Sequence, residues 1–164
     1  MQKPLLRTDK EIAEIYSRHA KTVYRVCFSF MKNTEETEDA LQETFFRLIG
    51  KGPAFASEEH EKAWLIRTAS NVCKNMLKHW WRKRENLEDH SDIATDQAFP
   101  DDTCMNAILS LPEKLKTVVY LYYYEGYTSV EIAKILGKPQ STVRYLLSEA
   151  RGILKERLGE DFEE

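Results

Sequence analysis

The chain has 164 residues, of which 42% are hydrophobic and 31% charged, and its formal net charge is −3. This balance is typical of a globular protein with one domain or two small ones, and it excludes collagen-like and low-complexity chains. No stretch has the roughly 20 apolar residues of a membrane span, and the first residues lack the apolar core of a signal peptide. We therefore expect a cytoplasmic protein without membrane insertion of its own.

The net charge hides a pattern along the chain. Residues 1–85 carry 16 basic and 12 acidic side chains, residues 86–105 carry no basic and six acidic ones, and residues 106–164 carry eight and nine. Four of those last nine acids lie in the final five residues. Two mildly basic blocks therefore flank an acidic segment, and the net charge alone does not exclude a nucleic-acid partner.

The start of the chain predicts two helices. Apolar side chains from Ile12 to Phe30 recur at steps of three and four, as on one face of a helix. Asn33 is placed to cap the next helix, with Glu36 three residues later. That helix should end at residues 50–53, where two glycines and a proline break the pattern. Its expected apolar side is Leu41, Phe45, Leu48 and Ile49.

A third, long helix should begin after Ser57, which is placed to cap it, and reach about Arg84. The following segment, 86–104, has no lysine or arginine and few large apolar residues, so we expect a flexible, extended linker. A loop packed within one domain is the alternative, although about 19 residues would be unusually long. The expected buried stripe of the third helix is Leu65, Ala69, Val72, Met76 and Trp80.

The last block predicts further helices. A short one ends at Leu109, and Pro112 suits the first turn of the next, for which Gly126 suits the C-cap. The residues from Tyr120 to Tyr124 have a strand-like composition but continue a helical pattern, so we predict them to be helical. The sequence therefore predicts an all-α fold with two small helical domains, 1–85 and 105–164, joined by the acidic linker 86–104.

Residues 131–147 are spaced as in a helix-turn-helix, opened by a capping box at residues 128–131. Small Ala133 lets two helices approach, Gly137 takes a left-handed turn without steric cost, and Val143 packs the second helix together with one of the two leucines that follow. The start of the second helix would face the major groove of DNA. An ordinary helical hairpin is the alternative. The side chains expected at the DNA are Lys138, Gln140, Ser141, Thr142, Arg144, Tyr145 and Ser148.

Between Lys62 and Arg84 the chain has seven basic residues, three tryptophans and no acid. This combination suits single-stranded DNA, because the charges follow the backbone and the rings stack on unpaired bases. The alternative is a solvated helix face whose tryptophans belong to the core, and we expect at least one tryptophan there.

Residues 38–48 alternate acids, an amide and aromatic rings on both faces of a helix. One face can be buried, while the other is polar with one apolar residue and suits a protein partner. An amphipathic helix with one exposed phenylalanine is the alternative. The polar face is Asp39, Gln42, Glu43 and Phe46.

Enzyme chemistry has little support in the sequence. There is no glycine-rich phosphate loop, no GxSxG motif and no spacing that binds a metal, and the four histidines are scattered. The three cysteines, Cys27, Cys73 and Cys104, make no disulfide framework and are expected to be reduced. We expect neither catalysis nor a cofactor.

Four segments in this order resemble a bacterial ECF (extracytoplasmic-function) sigma factor of the sigma-70 family. They are DALQETFFRL (39–48), AWLIRTASNV (63–72), LPEKLKTVV (111–119) and EGYTSVEIAKILG (125–137). The first resembles the region 2 motif that docks on core RNA polymerase, the second the promoter-melting helix, and the last two resemble region 4. The resemblance covers about residues 12–158. It implies an alternative sigma factor whose partners are core RNA polymerase, promoter DNA (single-stranded at the minus-10 element and duplex at the minus-35 element) and an anti-sigma factor.

The resemblance also implies residue roles. The loop from Gly52 to about Ser57 would capture a flipped base together with the next helix, and basic residues further along would hold phosphates. Residues 140–148 would read the minus-35 element. The implied polymerase contacts are Asp39, Leu41, Gln42, Glu43, Phe45 and Phe46. The implied minus-10 contacts are Phe55, Ser57, Trp64, Arg67, Asn71, Lys74, Lys78, Trp81, Arg82, Lys83 and Arg84.

This sequence departs from the family at four positions in the recognition helix. The family often has glycine at Ser141 and arginine at Leu146 and Glu149, and the last two changes remove positive charge from the DNA-facing helix. Tyr145 replaces a small residue and could contact a thymine methyl group. The promoter sequence is therefore not implied by the resemblance.

Three other functions remain open from the sequence. The first is a helix-turn-helix transcription regulator that binds duplex DNA without polymerase, which would have no need of the basic, tryptophan-containing helix. The others are a helical adaptor that binds only proteins and a small helical enzyme.

Overall fold

The computed structural model describes residues 6–86 and 103–158. All the regular secondary structure in these two ranges is helical, so the all-α prediction is confirmed. The chain divides into two compact units. None of the helices in the described ranges has the length and hydropathy that a membrane span requires. The predicted acidic linker, 86–104, lies outside the described residues except at its ends.

The first unit consists of three mutually packed helices, α1 (Asp9–Met31), α2 (Thr34–Lys51) and α3 (Glu58–Asn86). Helix α1 begins before the apolar pattern does, because a capping box starts it. Thr8 Oγ1 accepts from the Glu11 amide at 3.2 Å, and Glu11 Oε1 accepts from the Thr8 amide at 3.1 Å. These bonds from Thr8 lower the pKa of the Glu11 carboxyl.

The junction between α1 and α2 follows the predicted capping signal. Lys32 takes a left-handed conformation with φ of 66° and ends α1. Asn33 Oδ1 then accepts from the Glu36 amide at 2.8 Å, so the predicted cap of α2 is confirmed. Helix α2 ends at Lys51 within the predicted break, and the Gly52 amide donates to Leu48 O at 2.9 Å.

Most of the apolar residues that were predicted to be buried in the first unit lie in its core. Ile49 is an exception: it is 51% exposed, because it lies one residue past buried Leu48 and therefore about 100° further round α2. Cys27 and Cys73 are reduced and buried, as predicted. A hydrogen bond to Cys27, together with burial, raises the pKa of the Cys73 thiol. The buried apolar residues include Val23, Val26, Ala40, Leu48, Leu65, Ile66, Ala69 and Val72.

A buried polar cluster joins α1 to the start of α3. Glu61 is buried, and its Oε1 lies 2.8 Å from His19 Nε2 and accepts from Arg18 Nη2 at 3.0 Å. A buried carboxylate requires such partners, because it has lost its hydration. The cluster fixes the first turn of α3 against α1, and with it the end of the loop between α2 and α3.

The second unit contains α4 (Thr103–Leu109), α5 (Glu113–Val119), α6 (Ser129–Leu136) and α7 (Gln140–Leu158). Pro112 is the residue immediately before α5, one position earlier than the predicted first turn. Helices α5 and α6 both pack on α7. Fully buried side chains from these helices include Leu115, Val118, Ile132, Val143 and Leu147.

The tyrosine-rich segment, Tyr120–Tyr124, continues α5 as a π-helical turn. The helical prediction is right, but the turn is wider than expected, since the Glu125 amide donates to Tyr120 O five residues back at 3.2 Å. The turn buries Tyr120 and Leu121 together and stacks the Tyr120 ring on Tyr124. Gly126 then ends the turn with φ of 78°.

Candidate nucleic-acid interface and protein-binding surface

One face of α2 is polar and exposed, and it contains a single large aromatic ring. Phe46 is 65% exposed on this face. The Glu43 carboxylate is partly engaged, because it accepts from Arg47 Nε at 3.4 Å. Gln42 and Glu43 each lie three or four residues from both Asp39 and Phe46, so the four share one side of the helix. We call this surface the α2 face: Asp39, Gln42, Glu43 and Phe46.

The structure corrects two of the six expected polymerase contacts. Leu41 and Phe45 are 9% and 6% exposed and belong to the core on the packed side of α2. The Phe45 ring packs against Tyr16 of α1, with ring centroids 4.9 Å apart. Phe46 lies about 100° further round the helix than Phe45, and here that rotation takes its ring from the core to the exposed side.

A line of exposed polar and basic side chains runs along α3. Its members are separated by three or four residues and cover about a quarter of the helix circumference over about 22 Å of length. No acidic residue occurs between Lys62 and Arg84. Such a line can contact successive phosphates of one strand. We call it the α3 stripe: Arg67, Asn71, Lys74, Lys78 and Arg82.

The tryptophans of α3 have different surroundings. Trp64 is half-buried at the start of the α3 stripe. Trp80 is also half-buried and lines a small cavity with Met31, Met76 and Leu77. Three more expected minus-10 contacts lie on α3 but have side chains outside the described part of the structure: Trp81, Lys83 and Arg84.

The loop 52–57 lies against the first turns of α3. Ser57 Oγ accepts from the His60 amide at 3.1 Å, which confirms Ser57 as the cap of α3. The Phe55 ring lies edge-on to His60, with centroids 5.3 Å apart, and its centroid is 5.8 Å from that of Trp64. The fold therefore brings two of the expected loop residues, Phe55 and Ser57, to the beginning of the α3 stripe.

Arg7 also belongs to this region, and the sequence reasoning missed it. Its Nη1 donates to Gly52 O at 3.0 Å, its Nη2 donates to Pro53 O, and its guanidinium lies over the Phe55 ring. Arg7 and Phe55 line a polar cavity of about 200 Å³, whose other charged lining residues are Arg18, Glu11, Glu14 and Glu61. No local pattern could indicate these contacts, because residues 7 and 52 are 45 positions apart.

The second unit contains the predicted helix-turn-helix geometry. Thr128 and Glu131 form the predicted capping box of α6, with bonds of 3.2 and 3.0 Å. Gly137 is left-handed with φ of 66°, and the Lys138 amide donates to Ala133 O at 2.9 Å. The packing prediction is confirmed, and the buried side chains are Val143, Leu146 and Leu147.

The expected DNA-reading residues lie together at the start of α7 and just before it. Tyr145 is the most prominent, with 65% of its side chain exposed. Lys138 is half-buried and precedes the helix. Gln140 Nε2 lies 3.5 Å from Ser129 Oγ, so its amide stays close to the start of α6. We call the exposed set the α7 face: Gln140, Ser141, Thr142, Arg144, Tyr145 and Ser148.

Two of the α7 positions that depart from the family, 146 and 149, differ in their surroundings. Leu146 is 7% exposed and packs in the core. Glu149 Oε1 lies 3.3 Å from Lys114 Nζ of α5, and the Glu149 side chain is 33% exposed. Leu146 therefore lies on the packed side of α7, whereas Glu149, four residues after Tyr145, borders the α7 face and is paired with Lys114.

Comparisons with known proteins agree with this geometry. Residues 15–86 match the family described as Sigma-70 region 2, and residues 104–154 match Sigma-70, region 4. The ECF RNA polymerase sigma factor SigW of Bacillus subtilis is 28% identical, over 89% of this chain and 88% of that protein. SigV of the same organism is 28% identical over 85% and 86%, and the ECF sigma-E factor of Haemophilus influenzae is 25% identical over 92% and 95%.

A solved structure shares the fold. The sigma factor RpoE from Bartonella quintana, crystallised in complex with the anti-sigma factor NepR, superposes with a TM-score of 0.74 over 93% of this chain and 99% of that one. The sequences are 18% identical.

Proposed function

The chain belongs to the sigma-70 family as an ECF sigma factor that directs transcription initiation with core RNA polymerase, and we propose how its three surfaces divide that work. The α2 face binds core RNA polymerase. The α3 stripe and the loop 52–57 hold the melted non-template strand of the minus-10 element. The α7 face, with Lys138, reads the duplex minus-35 element.

The α2 face suits a protein partner because it combines one exposed aromatic ring with polar neighbours. Phe46 offers a large apolar area with few torsion angles to restrain, which is typical of residues that carry much of the binding energy. The carboxylates of Asp39 and Glu43 would contact basic groups of the polymerase at the edge of the interface.

The absence of acidic residues along the α3 stripe is the single observation that most supports the proposal. A stripe with four cations and one amide attracts a phosphate backbone, while Asn71 can bond the edge of an unpaired base. The loop adds Phe55 next to Trp64, so rings on which a base could stack lie beside the charges. A flipped base held there would not return to the duplex, and the strands would stay apart.

The α7 face suits a major groove. Gln140 and Arg144 can bond base edges, Ser and Thr hydroxyls can bond phosphates, and the exposed Tyr145 ring can contact a thymine methyl group. This face has few charges, so we expect it to bind duplex DNA weakly alone. Two weak DNA surfaces on one chain strengthen each other through effective concentration, which gives a selective complex.

We extend the proposal to regulation and location. The structurally similar RpoE was solved with an anti-sigma factor, and we propose that such a protein also holds this chain inactive by covering its binding surfaces. We further propose that the protein acts in the cytoplasm and has no catalytic activity of its own, since its homologues are sigma factors.

The test is transcription in vitro from fragmented genomic DNA of the source organism, with core polymerase supplied with and without this protein. We expect new transcript 5′ ends that share a pair of upstream motifs. If no new transcript starts appear although polymerase and protein are active by independent checks, the roles proposed for the three surfaces are wrong. Binding of duplex DNA by the protein alone would then favour a helix-turn-helix regulator that works without polymerase.

A further inference from the structure

One side chain from the segment before α1 holds the loop between α2 and α3. The Arg7 guanidinium donates to two consecutive carbonyl groups, those of Gly52 and Pro53, the first at 3.0 Å. A guanidinium is a planar fork with several N–H donors, so it can bond two acceptors in a fixed geometry, whereas a lysine ammonium acts as a point charge.

The same guanidinium continues into a chain of ring contacts. It lies 4.9 Å from the centroid of the Phe55 ring, a distance at which a cation is attracted to the ring face. Phe55 in turn packs on Trp64, with ring centroids 5.8 Å apart. Contacts thus run from Arg7 through the loop to the start of the α3 stripe.

Glycine at position 52 permits this approach. A Cβ there would lie 2.8 Å from Arg7 Nη1 and 2.5 Å from Leu48 O, both shorter than a normal side-chain contact. Leu48 O already accepts the Gly52 amide at the end of α2 and cannot move away freely.

The placement of Arg7 is itself fixed by its neighbour. Thr8 caps α1 with reciprocal bonds to Glu11, so the backbone direction at residue 8 is defined. The part of the chain that matches the region 2 family begins at residue 15. Arg7 therefore lies outside the part of the chain that the family comparison covers.

From these contacts we infer that Arg7 is a positioning residue for capture of the unpaired minus-10 strand. It holds the loop 52–57 in the shape that presents Phe55 and Ser57 beside the α3 stripe. A loop held in advance avoids the entropic cost of ordering each residue when DNA binds. This inference rests on the proposed function, in which the loop meets the melted strand.

The test compares holoenzymes made with the wild-type protein, Arg7→Met, Arg7→Lys and the control Lys10→Met. Lys10 is exposed on α1, so the control removes the same charge from the same end of the chain without touching the loop. The template is a promoter that the wild-type holoenzyme opens. Opening is followed by 2-aminopurine fluorescence in the minus-10 element, and polymerase affinity and Tm are measured for each variant.

We expect Arg7→Met to slow opening about tenfold, the effect of losing roughly one charge-assisted hydrogen bond. Arg7→Lys should be nearly as slow, because the charge remains but the fork is lost. Lys10→Met should open as the wild type does, and polymerase affinity should be unchanged throughout. On templates with each minus-10 base replaced in turn, Arg7→Met should also discriminate less between bases at the captured position, which a purely structural role would not affect.

Three results would overturn the inference. Opening by Arg7→Met at the wild-type rate would show that the loop needs no such support, and a parallel loss of Tm or polymerase affinity would show a general structural role. Full rescue by Arg7→Lys would contradict the bidentate role. A wild-type protein that opens no promoter would instead contradict the proposed function, so the two failures are distinguishable.

Discussion

Lys114 Nζ lies 3.3 Å from Glu149 Oε1, so a salt bridge joins α5 to the middle of α7. An acidic residue in a DNA-binding helix would ordinarily weaken binding to phosphates. Here its charge is neutralised by Lys114, and its side chain is 33% exposed. The pair explains how this recognition helix tolerates a glutamate.

Reversal of this charge should therefore cost stability rather than strengthen DNA binding. Glu149→Arg places two cations together, and we expect a loss of about 1 kcal/mol in the free energy of unfolding, measured by urea denaturation. The double variant Lys114→Glu, Glu149→Arg, which exchanges the two charges, should recover most of the lost free energy of unfolding. If Glu149→Arg alone were stable and bound duplex DNA several-fold more tightly, the pairing would have no role.

Substitutions at two adjacent residues of α2 should affect different properties, polymerase affinity in one case and stability in the other. Phe46→Ala should weaken binding to core polymerase by roughly thirtyfold, the cost of removing an interface hot spot, and leave Tm unchanged because the ring is exposed. Phe45→Ala should lower the free energy of unfolding by about 3–5 kcal/mol, since it empties part of the core. Affinity is measured by fluorescence anisotropy with labelled protein. An equal affinity loss in both variants, each shown to be folded, would contradict the α2 face.

The α3 stripe should act at promoter opening rather than at polymerase binding. Asn71→Ala should slow opening about tenfold or more through loss of a base contact, with polymerase affinity unchanged. His79, exposed on the same helix but outside the α3 stripe, supplies the control variant His79→Ala. Permanganate reactivity of minus-10 thymines reports opening. Equal losses in opening and polymerase affinity would rule out the role given to Asn71.

The charge of the α3 stripe should also appear in the salt dependence of binding. Lys78→Gln should lower the affinity of the holoenzyme for single-stranded minus-10 DNA and reduce the slope against log salt concentration by about 0.7, the release of roughly one counterion. Lys21→Gln, which removes an exposed cation from α1, should leave the slope unchanged. Matching slopes for Lys78→Gln and the wild type would place that lysine away from the DNA.

The buried cluster at the start of α3 should contribute strongly to folding. Glu61→Gln removes the ion pair with Arg18 and alters the bond to His19, so we expect a loss of about 3 kcal/mol in the free energy of unfolding. Glu59→Gln, two residues earlier and exposed, is the matched control and should change stability by less than about 0.5 kcal/mol. Urea denaturation measures both. If Glu61→Gln changed the free energy of unfolding as little as Glu59→Gln does, the charge of Glu61 would not be needed for folding.

The helices and their caps were predictable because their signals are local. Asn33, Ser57 and Thr128 each bond an amide three residues later, so a short window of sequence contains both partners. The helix-turn-helix followed in the same way, from Gly137 and the apolar steps of α7. Periodicity alone assigned the faces well but misplaced Ile49, whose exposure depends on where the packed side of α2 ends.

The amino-acid sequence by itself thus determined the all-α class, the order of the helices and the family. Only the tertiary structure decided which side chains meet: Arg7 with Gly52, His19 with Glu61, and Lys114 with Glu149. It also decided that Leu146 and Leu147 are both buried, where the sequence left one of them open, and that Ile49 is exposed. The physical reason is distance along the chain. A cap closes within one helical turn, whereas these pairs form only after packing has brought separate helices together.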